Sequence, residues 1–309
     1  MNAPVLSVVV PVFNEEKVLK EFHARLGKVL AGMGVPSEIL FVNDGSSDGS
    51  EKILGDLKKL DARVRTLSFT RNFGHQIAVK AGLDHAQGSE AVVVIDADLQ
   101  DPPEMIADLW AKHREGYDVV YAVRVHREGE TFFKKFTASL YYRLIRSIAS
   151  IDIPRNTGDF RLISRQAADA IKGMREKNPY LRGLVAWTGF KAVGLPMQRA
   201  PRFAGETKYS MKKMCQLAWS GITQFSFMPL QIATFFGVFS LALAAGLLVC
   251  LSADAFSGRP VTGTRLILFS VFFLGGIQLV SVGILGAYLG RHYDESRPRP
   301  LYVLKKEEA

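Results

Sequence analysis

The 309-residue sequence contains only two cysteines, Cys215 and Cys250. One precedes a long apolar run and the other lies inside it, so neither a disulfide framework nor a zinc-ligand spacing is present. The six histidines, at 23, 75, 85, 113, 126 and 292, form no ligand pattern. No dinucleotide-type glycine fingerprint and no Walker loop occurs. A nucleotide site without a glycine-rich cradle must neutralise phosphates by another route, and a metal held by carboxylates is one such route. Nucleic-acid module signatures are missing too. The formal charge of +9 therefore points to anionic lipid headgroups or phosphorylated substrates, not to nucleic acid. The only early apolar run is broken by Pro11, Asn14, Glu15 and Glu16, unlike a signal peptide, so about the first 200 residues are expected to stay on the cytoplasmic side.

Charge is absent altogether from residues 230–251 and 266–289, which contain no Asp, Glu, Lys, Arg or His. Each run exceeds the roughly 20 residues that cross a bilayer, which reads as a multi-pass transmembrane hairpin and not as two buried core helices. Lys208, Lys212 and Lys213 precede the first run, and Arg291, Arg297, Arg299, Lys305 and Lys306 follow the second. The connection at 252–265 has only Arg259 and Arg265. This asymmetry sets both termini in the cytoplasm, with the hairpin in the inner (plasma) membrane. The implied domains are a cytoplasmic catalytic domain at 1–205, a juxtamembrane helix at 206–229, the hairpin at 230–289 and a cytoplasmic tail at 290–309. Two basic, aromatic stretches have helical spacing: 132–148, with Phe132, Phe136, Tyr141 and Ile145, and 206–229, with Met211, Met214, Trp219 and Phe225. Each either lies in the headgroup plane or packs against the sheet or another subunit. Gly275, Gly276, Gly283, Gly286 and Gly290 crowd the second span, which suits close helix packing and leaves a homo-oligomer open. The tail is either disordered or adds an edge strand to a neighbour.

The first half is rich in what the second lacks. Short apolar runs at 6–12, 39–42, 64–69, 91–95 and 119–123 read as buried strands, and they alternate with helical patterns such as the stripe Leu19, Phe22, Leu26, Leu30 and Met33. Asn14 is a candidate N-cap for that helix. Further helices are expected near 76–86 and 103–115. The alternation predicts an α/β, mostly parallel, doubly wound sheet whose ligands bind beyond the strands' carboxyl ends. The polar clusters fall there: "NEE" after the first strand, "NDGSSDG" after the second, "RNFG" after the third and "DADLQD" after the fourth.

Asp96 and Asp98 are two residues apart, so on an extended backbone both point one way. Two carboxylates aimed at one point repel unless a cation sits between them, and oxygen ligands suit Mg²⁺ or Mn²⁺. Gln100 continues the series as a further oxygen donor. A lone D-x-D is a weak signal, equally at home as a helix cap or solvated loop; its position after a buried strand, with no His or Cys beside it, favours the metal.

Taken together and in order, "VVVPVFNEE", "FVNDGSSDGS", "LSFTRNFGHQIAVKAGLDHA", "VIDADLQDPP", "NTGDFRL" and "PRFAGETKY", ahead of two apolar spans, resemble the polyprenyl-phosphate glycosyltransferases of glycosyltransferase family 2. The bactoprenol glucosyltransferase branch is the nearest resemblance, with dolichol-phosphate mannose synthase a relative. The resemblance implies a GT-A (Rossmann-like) domain, a nucleotide-sugar donor such as UDP-glucose, a divalent metal, and a polyprenyl phosphate acceptor with inversion at the sugar carbon. It implies a nucleoside pocket from Pro11, Phe13, Asn14 and Glu15, and a base and ribose contact at Asp44 with Gly45 and Ser46. Asp96, Asp98 and Gln100 match metal and diphosphate positions. Arg124, Arg127, Arg202 and Lys208 become phosphate contacts, while Arg71 either faces the nucleotide or makes a structural ion pair.

Asp159, in "NTGDF", falls where the family has a catalytic base. The acceptor is a phosphate monoester with a second pKa of about 6, already mostly a dianion at neutral pH, so no proton need be removed. Asp159 is thus either a base, a positioning group for the donor sugar or a basic residue, or a turn residue. Three other functions compete. A processive polysaccharide synthase is disfavoured, since Trp187 follows Val185 and Ala186 without a Q-x-x-R-W motif. A transferase of another donor, such as UDP-N-acetylhexosamine, a UDP-aminoarabinose derivative or GDP-mannose, depends on pocket shape. A membrane-anchored nucleotide-sugar binding protein has no need of Asp96, Asp98 and Asp159 together.

Overall fold

The computed structural model describes residues 3–124, 157–198 and 263–306, with a few isolated positions between 246 and 257. The stretches 132–148 and 206–229, the first expected span at 230–251, and Arg127, Arg202 and Lys208 lie outside the described residues. Those described fall into two compact units, one holding 3–124, 157–198 and 299–306 and the other the long helix that ends just before Arg299.

The first unit is built on a seven-stranded sheet in the order β3-β2-β1-β4-β6-β5-β7. Its strands are β1 (Leu6–Val12), β2 (Ser37–Asn43), β3 (Val64–Ser68), β4 (Ala91–Val94), β5 (Val119–Arg124), β6 (Thr157–Ser164) and β7 (Ala192–Met197). All pairings are parallel except those of β6 with β4 and β5, so β6 alone is reversed. This is the mostly parallel α/β sheet that the alternating pattern predicts. Every residue of β1 and β4 is buried, as expected for strands covered on both faces.

The covering helices are α1 (Leu19–Met33), α2 (Ser50–Leu60), α3 (His75–His85), α4 (Ile106–Arg114), α5 (Arg165–Gly173) and α6 (Leu181–Trp187). Leu19, Phe22, Leu26 and Leu30 form the buried stripe of α1, which stops at Gly34 in the left-handed conformation. That stripe shares a core with Val8 and Val10 of β1, Leu54 and Leu57 of α2, and Ile106 and Leu109 of α4. Alternate strand residues face opposite sides. Val9 accordingly meets the other layer, where a Cβ on Gly82 of α3 would lie 2.1 Å from its methyl group. Only glycine lets α3 sit this close to β1.

Three local expectations change. Asn14 does not cap α1, which starts five residues later behind Val18 and has no side-chain cap. Strand β4 ends at Val94, so Asp96, Asp98 and Gln100 lie in a turn and not on extended backbone. The tail lies on its own chain's edge strand: Thr70 N donates to Val303 O at 3.0 Å, Lys305 N to Ser68 O at 2.8 Å, and Phe69 bridges Leu304 in antiparallel fashion.

The second unit contains α7 (Gly263–Ser296), 34 residues and about 50 Å long at 1.5 Å per residue. Among the described residues it is the one helix long and apolar enough to cross a membrane, over Phe273–Gly290. The expected second span falls inside it.

Candidate active site

The loops after β1 and β2 interlock. Asn14 Oδ1 accepts from Ser47 N at 2.8 Å, while Asn14 N and Glu15 N donate to Ser46 Oγ and Ser50 Oγ, each at 3.0 Å. Ser46 N is tied back to Asn43 Oδ1 at 3.0 Å. Asn14 holds a left-handed φ of 57°, and the one other non-glycine residue with positive φ among those described is Leu99, at 58°. Both sit at carboxyl ends of strands, and such strain persists only where the surroundings enforce it. Pro11 is tolerated in β1 because its missing N–H faces the side of β4, whose ladder with β1 ends at Val9 and Val94. Phe13, just past the strand, is 36% exposed, unusual for an aromatic side chain in a rigid loop.

Asp44 is buried and turned toward the loop before α3. Its Oδ1 accepts from Phe73 N at 2.7 Å and its Oδ2 from Gly74 N at 3.0 Å. Burial raises its pKa, partly offset by those amides and by His75 and Arg71. Gly45, at φ 65°, lies so near the same loop that a Cβ would stand 2.4 Å from the Arg71 carbonyl carbon. Arg71 stacks over the Phe73 ring at 4.0 Å and donates from Nη1 to the Asn72 carbonyl at 2.9 Å.

Beyond β4, Asp96, Asp98 and Gln100 are half-exposed while Ala97 and Leu99 are buried, so the polar side chains keep access to solvent as the apolar ones pack inward. Asp98 Oδ1 accepts from Gln100 N at 3.1 Å, closing that turn. The Asp96 side chain is 27% exposed, yet its Oδ1 is shielded and has no hydrogen-bond partner; the nitrogen facing it is His75 Nε2 at 3.7 Å. Burial, and after it the neighbouring Asp159 and Asp98 charges, push the Asp96 pKa up against the pull of His75. Among the described residues no three His, Cys, Asp or Glu side chains form a metal cage. The residues nevertheless fit a divalent cation of the Mg²⁺ type, which is held by one or two carboxylates plus substrate phosphates; an orphaned, shielded carboxylate oxygen is the donor such a site needs.

Asp159 reaches the same place from the reversed strand. Val94, the last residue of β4, pairs with Arg161 of β6, so Asp96 and Asp159 each lie two residues from that pair, and His75 Nε2 stands 3.7 Å from one and 3.1 Å from the other. Its Oδ1 accepts from Arg161 Nη2 at 2.9 Å and Arg182 Nε at 3.0 Å. Its Oδ2 lies 3.1 Å from His75 Nε2, 3.3 Å from Arg182 Nη2 and 3.4 Å from Gln76 Nε2. Burial alone would raise its pKa, but Arg182, His75 and Arg161 outweigh it and hold the carboxyl well below the usual range. For His75, burial acts downward, while Asp96 and Asp159 together lift it to about 9. The site thus alternates charge, from Asp98 and Asp96 through His75 to Asp159 and its two arginines.

Arg124, at the end of β5, pairs with the buried Asp101 at 3.8 Å and packs on Gly158, where a Cβ would meet its Nη2 at 2.6 Å. Its guanidinium therefore lies behind the D-x-D turn. Arg161, Arg182, Gln76 and the role of His75 escape the sequence reading. Arg161 had a signal, because it follows Asp159 at strand spacing on the same face, in an otherwise apolar run. Arg182 had none, being brought in by α6 from 23 positions along the chain.

A family model described as Glycosyl transferase family 2 matches residues 7–172, more than half of the chain and all of the strands and loops just described except β7. The chain is 49% identical to the uncharacterized glycosyltransferase YkcC of Bacillus subtilis over 97% of its length and 93% of that relative's. It is 44% identical to the uncharacterized glycosyltransferase sll0501 of Synechocystis, over 97% and 94%. It is 42% identical to the bactoprenol glucosyl transferase of Shigella phage SfV, over 98% and 99%. With its sheet, its acidic turn after β4 and identity sustained from end to end, this chain is a glycosyltransferase and belongs to glycosyl transferase family 2.

Proposed function

We propose that this chain transfers glucose from UDP-glucose to polyprenyl phosphate at the cytoplasmic face of the plasma membrane, with inversion at the anomeric carbon. The observation that carries the reading is the length of the match to bactoprenol glucosyl transferases. It runs over 98% of the chain, well past the family-wide region that ends at 172. The extra part includes α7, whose Ile267, Val271, Val280, Val282, Leu285 and Leu289 are more than half exposed. Apolar side chains on several sides of one helix need an apolar surround, and lipid supplies it.

In this mechanism Asp96 and Asp98, aided by Gln100, would hold Mg²⁺ or Mn²⁺ when the donor diphosphate is bound. The cation supplies charge neutralisation for the departing nucleotide. Pro11, Phe13, Asn14, Glu15, Ser46 and the Asp44–Gly45 turn border the nucleoside, and Arg71 flanks it. Arg127, Arg202 and Lys208, with Arg124 behind the turn, draw the acceptor phosphate toward the donor. One phosphate oxygen attacks the anomeric carbon as the bond to the nucleotide breaks, and UDP leaves with the bonding electrons. The acceptor, a dianion at neutral pH, loses no proton to the protein. Asp159, already engaged by two guanidiniums and an imidazole, then positions its neighbours and takes up no proton. Anchoring the enzyme in the bilayer avoids extracting the polyprenyl chain, which costs about 0.8 kcal/mol per CH₂, and brings both substrates into one orientation.

The test is incorporation of radiolabel from UDP-glucose into organic-extractable lipid by membranes holding the protein and added undecaprenyl phosphate. Label that appears, vanishes with EDTA and returns with Mn²⁺ or Mg²⁺ supports the reading, and Asp98→Asn should abolish it while the protein still inserts. Label absent from lipid, or equal turnover by Asp98→Asn, refutes the acceptor or the metal assignment respectively.

A further inference from the structure

Three consecutive residues at the start of α3 tie together the loops on both sides of the site. Gly74 N donates to Asp44, linking α3 to the turn after β2. His75 Nε2 touches Asp159 Oδ2 at 3.1 Å and faces Asp96 Oδ1 at 3.7 Å. Gln76 Nε2 reaches Asp159, and its Oε1 accepts from Leu181 N at 3.1 Å, docking the first turn of α6. Arg182, the next residue, returns to Asp159 through Nε and Nη2 at 3.0 and 3.3 Å. The result is a closed ring of α3, β6 and α6 around one carboxylate. Arg161 pins that carboxylate only within its own strand, two residues away, and is itself buried over the Tyr121 ring. His75 and Gln76 join α3 to it, and Arg182 is the member that joins α6.

Asp96 depends on this ring because its inner oxygen has no hydrogen bond of its own. Its neighbour is an imidazole whose position is set by Asp159, and the position of Asp159 is set in turn by Arg182. We propose that Arg182 is a positioning residue for sugar transfer: by forking onto Asp159 it fixes the His75 imidazole against Asp96 and so orients the first carboxylate of the D-x-D turn. The inference rests on the proposed metal and diphosphate role of Asp96. A planar fork is required, because two parallel N–H donors fix direction where a lysine supplies one mobile charge.

The experiment compares wild type, Arg182→Gln, Arg182→Lys and the surface control Lys112→Gln as full-length protein in detergent. Two readouts are used: transfer to undecaprenyl phosphate, and Mn²⁺ affinity in the presence of UDP by electron paramagnetic resonance. A misplaced catalytic geometry can cost about 100-fold in rate. Arg182→Gln should therefore lower kcat by roughly that factor while the UDP-glucose KM moves less than about threefold, and Mn²⁺ affinity should fall about tenfold. Arg182→Lys should recover only part of the rate, and Lys112→Gln should match wild type. On a His75→Ala background Arg182→Gln should add less than about threefold, since both act through one chain of contacts. Arg182→Gln with unchanged kcat and Mn²⁺ affinity overturns the proposal. So does Arg182→Lys indistinguishable from wild type when Arg182→Gln fails to fold, because Arg182 would then be structural only. A wild type that binds Mn²⁺ with UDP but labels no lipid removes the acceptor reading, and the Mn²⁺ comparison still decides the role of Arg182.

Discussion

Replacing Asp159 by Asn separates a positioning carboxylate from a catalytic base. The substitution keeps shape but removes the charge on which Arg161, Arg182 and His75 converge, at 2.9, 3.0 and 3.1 Å. The new amide also turns an NH₂ group toward donors that need an acceptor. Breaking a buried charged cluster by removing one partner costs about 3–5 kcal/mol. At a few degrees per kcal/mol, the melting temperature should drop on the order of 10 °C. Activity should fall as well, and its pH dependence carries the distinction. If Asp159 only positions its neighbours, the rate limb set by the acceptor phosphate near pH ~6 is common to both proteins. The wild-type to variant ratio then holds or widens from about pH 6 to about pH 9, because His75, lifted to about 9 in the wild type partly by Asp159, loses its proton at a lower pH in the variant. Initial rates of lipid glucosylation at saturating donor, taken across that range below the variant's melting point, give the ratio. A ratio that shrinks about tenfold per pH unit toward alkaline pH would mean that hydroxide replaces a lost base, and would refute the positioning account.

Gly45→Ala must displace the Arg71 carbonyl, 2.4 Å from the added Cβ, and holds an unfavourable φ of 65°. We expect a loss of roughly 1–3 kcal/mol in stability and UDP binding weakened about tenfold, read by melting and by calorimetry with UDP; unchanged UDP affinity would separate this turn from the nucleotide. Asp61, bonded chiefly by Arg63 and also by His23, has its pKa lowered from 3.8 to about 2. Its contribution, at most about 2 kcal/mol, is complete above pH ~4 and is lost as pH falls toward ~2, so the stability gap between wild type and Asp61→Asn should close over that window in acid melts. Tyr302 stacks on Phe69 with ring centroids 5.2 Å apart and places its hydroxyl 3.1 Å from His85 Nε2. Tyr302→Ala should free the tail from β3 and speed hydrogen exchange at the Thr70 and Lys305 amides; unaltered protection would show that the backbone pairing holds the tail unaided.

The strands were legible because burial on both faces forces continuous apolar runs, and β1 and β4 are buried along their whole length. The α1 stripe was legible for the complementary reason, a single face against one core. The exact end of β4 was not, since Ile95 is as apolar as the strand before it and only Leu99, in a left-handed turn, marks the change. Asn14 misled because Asn suits a cap and a left-handed turn equally, and the partner that decides, Ser47, is 33 positions away. The tail's docking site was hidden likewise: Tyr302 meets His85 across 217 positions, and nothing local to "PLYV" announces it. Long-range pairing, more than local preference, separates what could be read from what could not.

The reversal of β6 has a cost that accounts for most of the site's cations. A parallel β6 would have carried "GDF" to the opposite end of the strands; reversed, it brings Asp159 to the end where β4 stops and the Asp96 turn begins, with both carboxylates facing His75. Like charges brought this close repel, as the Asp159 contribution to the raised Asp96 pKa shows, and Asp98 in the same turn adds a third carboxylate. Three elements answer this with His75, Arg161 and Arg182, all of which hydrogen-bond Asp159 and leave it strongly ionised, while Asp96, with only His75 facing its inner oxygen, keeps a raised pKa and an unbonded oxygen. Compensation therefore outweighs burial at Asp159, whereas at Asp96 the pull of His75 does not. Only His75 is shared between the two, at 3.1 Å from Asp159 and 3.7 Å from Asp96, while both arginines go to Asp159. The unbonded oxygen and raised pKa of Asp96 are what the proposed metal and diphosphate role would use, since a divalent cation bound with the diphosphate of a sugar nucleotide would supply the missing positive charge.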